Sequence, residues 1–357
     1  MAVAPRSALR SGRRALAAGV VVSALACGDG GVDATGGASA TTGATSDAST
    51  TFAVDPPEAH TWRLSASFGA DVGAIFSLWA DGPETIMAVG GQPLDGVVLE
   101  YRGGAWVEDE TIHAAVPRLN WVHGIGDFRV VVGYYGAIVH RVDGVWEPQM
   151  SGIAAPLWGV WGARPDDLWV VGGSAAGDAA PVLLHYDGDA WAQVDVSALA
   201  GSSRALFKVW GRAADDVFAV GAGGLILHYD GVAWAREASP TEVTLIGVDG
   251  DDDEVLVAGG RSSGVLLRRV AGAWERLDFP AYEGFDGAWI DELGAATVVG
   301  RRGAILHFAP EAQAWVAEES GVEDELHTVV GVPGGPVFAV GGRFDSAPYT
   351  GVILVRE

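Results

Sequence analysis

The chain has 357 residues, 49% of them hydrophobic and 19% charged, enough to bury one large all-β domain or two smaller ones. Its formal charge is −24, so it repels phosphate backbones and anionic headgroups, and nucleic acid is not an expected partner. It has one cysteine, Cys27, which excludes a disulfide within the chain and thiolate zinc or iron–sulfur sites.

The N-terminus reads as an address. Met1 to Arg14 is basic, Ala15 to Ala26 is apolar and too short to span a bilayer, and small residues lead directly into Cys27. Ser23-Ala24-Leu25-Ala26-Cys27 resembles a bacterial lipobox, which implies acylation of Cys27 and, with Gly28 after it, an outer-membrane or cell-surface location. An ordinary signal peptide with an incidental cysteine is the other reading. Residues 28–57 are Gly, Ala, Ser and Thr with a few Asp and form a tether that cannot bury a core. The expected division is an export signal over 1–27, the tether over 28–57 and a folded domain over 58–357.

Beyond Pro57 one unit recurs, clearest in 157–191 and 206–234. Each copy reads as four short strands: L-x-x-V-x-G, an apolar run ending in V-G-G, I/V-L-H-Y, and a fourth that opens with Trp after an Asp-Gly turn. That Trp falls at 62, 106, 146, 191, 234, 274 and 315, spacings of 40 to 45 residues. Four strands at this period mark a β-propeller. Trp62 has no first three strands before it, while 326–357 supplies three strands and stops where its Trp is due. The expectation is an all-β, seven-bladed propeller of four-stranded antiparallel blades, the last closed by the strand near Trp62. Six blades with unpaired ends is the alternative.

The Asp-Gly turn before Trp resembles the Asp-box repeat of sialidase-type propellers and the repeats of photosystem-assembly-factor propellers and of many bacterial lipoproteins. From Asp187 to Trp191 is one residue shorter than the Asp-box, and the Asp is missing before Trp106, Trp274 and Trp315. The resemblance implies a loop face at the channel mouth, formed by the second-to-third and fourth-to-first strand connections.

On that face, Arg261, Arg301-Arg302 and Arg343 share the second-to-third loop of three successive blades, where they suit a carboxylate or sulfate. Tyr134-Tyr135 stands in the same loop of another blade and suits a sugar ring. Lys208 and Trp121 occupy the third position of the innermost strand, otherwise small, where they narrow the channel or line a pocket. Glu283, Asp286, Asp291, Glu323, Asp324, Glu325 and Asp345 lie around the arginine loops. Solvated loop and packing chemistry is the competing reading for all of these. His140, His185, His228 and His307 hold one repeat position and read as packing residues, and the acidic run 249–254 as turn chemistry, so no metal and no cofactor is expected.

No nucleophile elbow, zinc-helix motif or phosphate loop is present. The expected function is non-enzymatic: a monomeric propeller, tied to the membrane only through its lipid, that binds a glycan, peptide or protein at its loop face. A glycoside hydrolase or lyase using the arginine rim and an envelope assembly or maintenance factor are the alternatives.

Overall fold

A computed structural model describes residues 60–112, 116–174 and 179–357. The lipidation candidate Cys27, the export signal and the tether lie outside the described residues, as does part of the long loop 173–181.

Seven four-stranded antiparallel sheets follow one another. Blades 1 to 6 are continuous in sequence, over 74–108, 119–149, 157–193, 206–236, 245–276 and 285–317. Blade 7 takes three strands from 325–356 and its fourth, Arg63–Phe68, from the other end of the domain. That strand pairs with Thr350–Arg356, Arg63 opposite Val355 and Phe68 opposite Gly351. The innermost strands of neighbouring blades touch all the way round, including blade 7 against blade 1.

The alternation of the strands accounts for the core. Seven apolar clusters each lie between two adjacent blades, for example Val171, Leu183, Leu206 and Ala219 between blades 3 and 4. No blade buries its faces alone, so burial, the main stabilising term, is a property of the closed ring.

Every blade carries a bulge in its innermost strand, between the first and third residues of the repeat. Opposite it stands the repeat glycine of the second strand. A Cβ on Gly90, Gly133 or Gly341 would come within 2.0 to 2.2 Å of a backbone oxygen of the innermost strand's start, so only glycine fits. At the other end of the strand, Trp79, Trp161, Trp210 and Trp289 pack on the next blade's Gly124, Gly211, Gly250 and Gly331. In two of the three blades without Trp here a polar group makes the crossing, His123 Nε2 meeting Gly162 O at 2.9 Å and Asp249 Oδ2 accepting from Ile290 N at 2.9 Å, while blade 7 has the apolar Val330.

Of the acidic run 249–254, expected to be turn chemistry throughout, only 251–254 form the turn; Asp249 and Gly250 belong to the innermost strand, where burial raises the Asp249 carboxyl. Asp251 Oδ1 accepts from the amides of Asp253 and Glu254, each at 2.8 Å. Among the repeat histidines, His185 and His228 bond Asp167 and Asp216 on their own blades at 2.8 and 2.7 Å.

Candidate functional site

The bulge gives each innermost strand one residue near its start that has no partner on the second strand. It adds a residue at the second position of each innermost strand, beside the second-to-third loops. Those residues are Phe76, Asn120, Trp158, Phe207, Ile246, Asp286 and His327 in blades 1 to 7. A repeat that holds its core positions nearly constant thus varies here from blade to blade.

One arc of the mouth is aromatic. Phe207 neighbours Trp158 (6.1 Å between ring centroids), Trp158 neighbours Tyr134 (5.7 Å), and Phe76 neighbours both His327 (5.2 Å) and Phe344 (4.8 Å). Arg118 joins the two groups, its guanidinium 4.0 Å from the Tyr134 ring and 4.3 Å from the Phe76 ring, with a hydrogen bond to the Tyr134 hydroxyl. Its Nε is buried and has no partner among the described residues.

The opposite arc is ionic. Asp286 is 3% exposed. Burial drives its carboxyl well above the usual range, and a hydrogen bond with Glu325 adds to this against the opposing charges of Arg261 and Arg301. Its Oδ2 has no donor among the described residues, as expected when two carboxyl groups meet and one carries the proton.

Lys208 and Trp121 meet. The ammonium lies 3.0 Å from the indole centroid, across Gly159 of the intervening blade, and Lys208 is only 3% exposed. Burial pulls Lys208 well below its ordinary value, while Asp286 acts to raise it. Both stand at the third position of their innermost strands, one residue after the bulge. His327 is pulled down to about 3 by burial and by the positive charges of Lys208, Arg118 and Arg261; its Nδ1 is 2.7 Å from Phe76 O. Imidazole, ammonium, carboxyl pair and guanidinium therefore form one electrostatic cluster.

The rim residues separate. Arg301 is partly buried and faces the carboxyl pair, with Glu283 at 4.0 Å. Arg302, at φ 56°, turns outward beside exposed Glu283 and Glu323. Tyr134 and Tyr135 divide in the same way, Tyr134 inward on Arg118 and Tyr135 outward at φ 55°. Arg261 and Arg343 are exposed, and Arg261 acts electrostatically on both Asp286 and His327. Sequence reading missed Arg118 and His327, and ranked Asp286 and Glu325 no higher than other acids.

No family model matches the sequence, and no curated protein matches it. Solved structures do. YCF48 from Cyanidioschyzon merolae is 14% identical with a TM-score of 0.65, over 83% of this chain and 99% of that one. A structure of YCF48 bound to D1 peptide is 14% identical with a TM-score of 0.60, over 85% and 99%. The extracellular domain of a hybrid two component system from B. thetaiotaomicron is 10% identical with a TM-score of 0.61, over 82% of this chain and 39% of that one. At these identities the likeness is one of fold: the chain is similar to YCF48 and to other β-propellers in its seven-bladed architecture.

Proposed function

We propose that this protein is an exported, non-enzymatic propeller, lipid-anchored through Cys27 and held off the membrane by residues 28–57, that binds a peptide or protein segment at its channel mouth. The observation that carries this reading is the split mouth: an aromatic arc from Phe207 to Phe76 faces an ionic arc of Arg261, Arg301, Asp286 and Glu325. A peptide has both complements, an apolar side chain for the rings and a carboxylate for the guanidiniums. The similar fold of YCF48, which has been solved with D1 peptide, supports a propeller of this shape holding a peptide. The extracellular propellers of similar fold, and the lack of a membrane-crossing helix among the described residues, accord with export.

Glycan binding through Tyr135 is the variant of this reading in which the outward ring is the platform. Glycosidase chemistry is less favoured. It needs carboxyl groups about 5 Å or more apart, and Asp286 and Glu325 are in direct hydrogen-bonding contact.

The test is a titration with peptides that carry an aromatic residue next to a terminal carboxylate, against the same peptides amidated. Binding at least tenfold tighter for the free carboxylate, and lost in Arg301→Ala, is expected. Equal affinity for both forms would remove the ionic arc from the account.

A further inference from the structure

On the face opposite the channel mouth, a cleft of about 210 Å³ opens between blades 1 and 2. Trp79, Met87 and Tyr101 from blade 1 and Arg129 and Arg141 from blade 2 line it, with Arg102 at the edge.

Arg129 breaks the repeat. The residues in its place on the second strand of the other blades are Ile86, Leu168, Val217, Val255, Ala296 and Val337, all aliphatic and buried. Arg129 is itself only 6% exposed. Three other blade pairs put the corresponding aliphatic beside the same tryptophan: Val217 by Trp161, Val255 by Trp210 and Val337 by Trp289. Holding the tryptophan therefore does not require an arginine. A charged group at a core position of a repeat, where a methyl-bearing side chain does the packing elsewhere, points to a use other than stability.

The guanidinium is held over the Trp79 ring. Its carbon lies 3.8 Å from the Trp79 ring centroid, and Nη1 donates to the carbonyls of Gly126 and Phe128, the latter at 2.7 Å. Among the described residues no group bonds its Nε or Nη2, and no carboxylate pairs with it; Asp81 and Asp127 act on it only at longer range. Glu100 is occupied, bridging Arg102 and Arg141, and the Nε of Arg141 is buried without a partner among the described residues. The one other acid of the lining, Glu84, is exposed. In a chain of net charge −24, this cleft offers a fixed, planar cation beside apolar walls.

We propose that this cleft binds a carboxylate on a short apolar stem, the carboxylate accepting from Nε and Nη2 of Arg129 and the stem lying against Met87 and Tyr101. The volume suits a small organic acid or a single chain terminus or side chain, being below the usual range for larger ligands. Both sources present the same group, and the site is independent of the channel mouth.

The experiment is calorimetric titration of the full chain with glutarate and with a short aliphatic peptide as free acid and as amide. Binding of glutarate or of the free-acid peptide, with the amide at least tenfold weaker, is expected. Glutarate binding assigns the site to free acids, and preference for the peptide assigns it to a chain end. Arg129→Leu, which restores the residue of the repeat, should leave thermal stability equal or higher and weaken binding at least tenfold. Arg129→Lys keeps the charge, loses the planar fork and should weaken binding at least fivefold. The same dependence on Arg129 should persist in the Arg301→Ala background, which removes the carboxylate contact proposed for the channel mouth. No binding of either probe at millimolar concentration, or wild-type binding by both Arg129 variants, would overturn the proposal.

Discussion

Asp249 shows how a single buried acid sets a pH response. Burial pushes its carboxyl up to about 7, against the hydrogen bonds it accepts from the backbone of Ile290 and Gly250. The folded form therefore holds a proton that the unfolded form gives up near pH 4. The stability from this protonated form is complete below pH 4 and declines as pH rises to about 7. Asp249→Asn keeps an acceptor for Ile290 N and removes the charge, so at pH 8 the variant should be more stable by about 1–3 kcal/mol. The gap should close toward pH 4, measured by thermal unfolding across pH. His123 and His140, pulled down to about 4 by burial, act in the opposite sense. Their contribution is present above pH 6.5 and is lost at about 1.4 kcal/mol per pH unit each on the way down to 4. Of the candidate residues, the Lys208–Trp121 pair was legible in the sequence, because both depart from small residues at one repeat position. Asp286 and His327 stand one residue earlier. Simple alternation points that position away from the channel, and only the bulge, invisible in a pattern of period two, turns it to the mouth.

The strands carry a second regularity, in the tryptophan that opens each fourth strand. The indole of Trp146 donates to Asp109 Oδ2 (2.9 Å), that of Trp274 to Glu237 Oε2 (2.5 Å) and that of Trp62 to Glu318 Oε2 (2.6 Å). Each acceptor lies three residues after the tryptophan of the preceding blade. In these three blades the third strand places Arg141, Arg269 or Arg356 opposite or against the tryptophan, where the other blades have Tyr101, Tyr186, Tyr229 or Phe308. Acid and arginine thus occur together or not at all. Where the acid is replaced, by Gln149 or Val194, the indoles of Trp191 and Trp234 have no partner among the described residues. Glu237 is held bidentately by Arg269, at 3.1 and 2.8 Å. Glu237→Val strands both the guanidinium and the indole of Trp274, and should cost about 2–4 kcal/mol. Adding Arg269→Tyr converts the junction to the apolar type used by other blades and should recover at least about 1 kcal/mol, read as coupling in a double-mutant cycle by urea unfolding.

At the scale of the whole molecule, the ring closes on Glu318. Its buried carboxylate takes the Trp62 indole at 2.6 Å and His60 Nδ1 at 2.7 Å, with Arg356 Nη1 at 3.6 Å. His60, His307 and Glu318 also gather as three residues of metal-ligating type, but the Arg356 guanidinium lies 3.4 and 3.5 Å from the two Nδ1 atoms and already supplies the cation. Deleting residues 60–68 leaves blade 7 with three strands and a bare edge, and should turn a single sharp elution peak into aggregates with loss of the cooperative thermal transition. Closure was legible because seven tryptophans and an unmatched pair of ends require it. Which face carries chemistry was less so, since arginine in a loop and arginine in a core position look alike until the register sets Arg129 among aliphatic residues.

The split channel mouth is best tested by hydrogen exchange of the full chain, free and saturated with a peptide bearing an aromatic residue and a terminal carboxylate. The account predicts slowed exchange in the second-to-third loops around 134–136 and 301–303 and at the start of the innermost strands of blades 2, 6 and 7, removed by Arg301→Ala. Protection confined to the outer strands or to the opposite face, with the mouth unchanged, would contradict it.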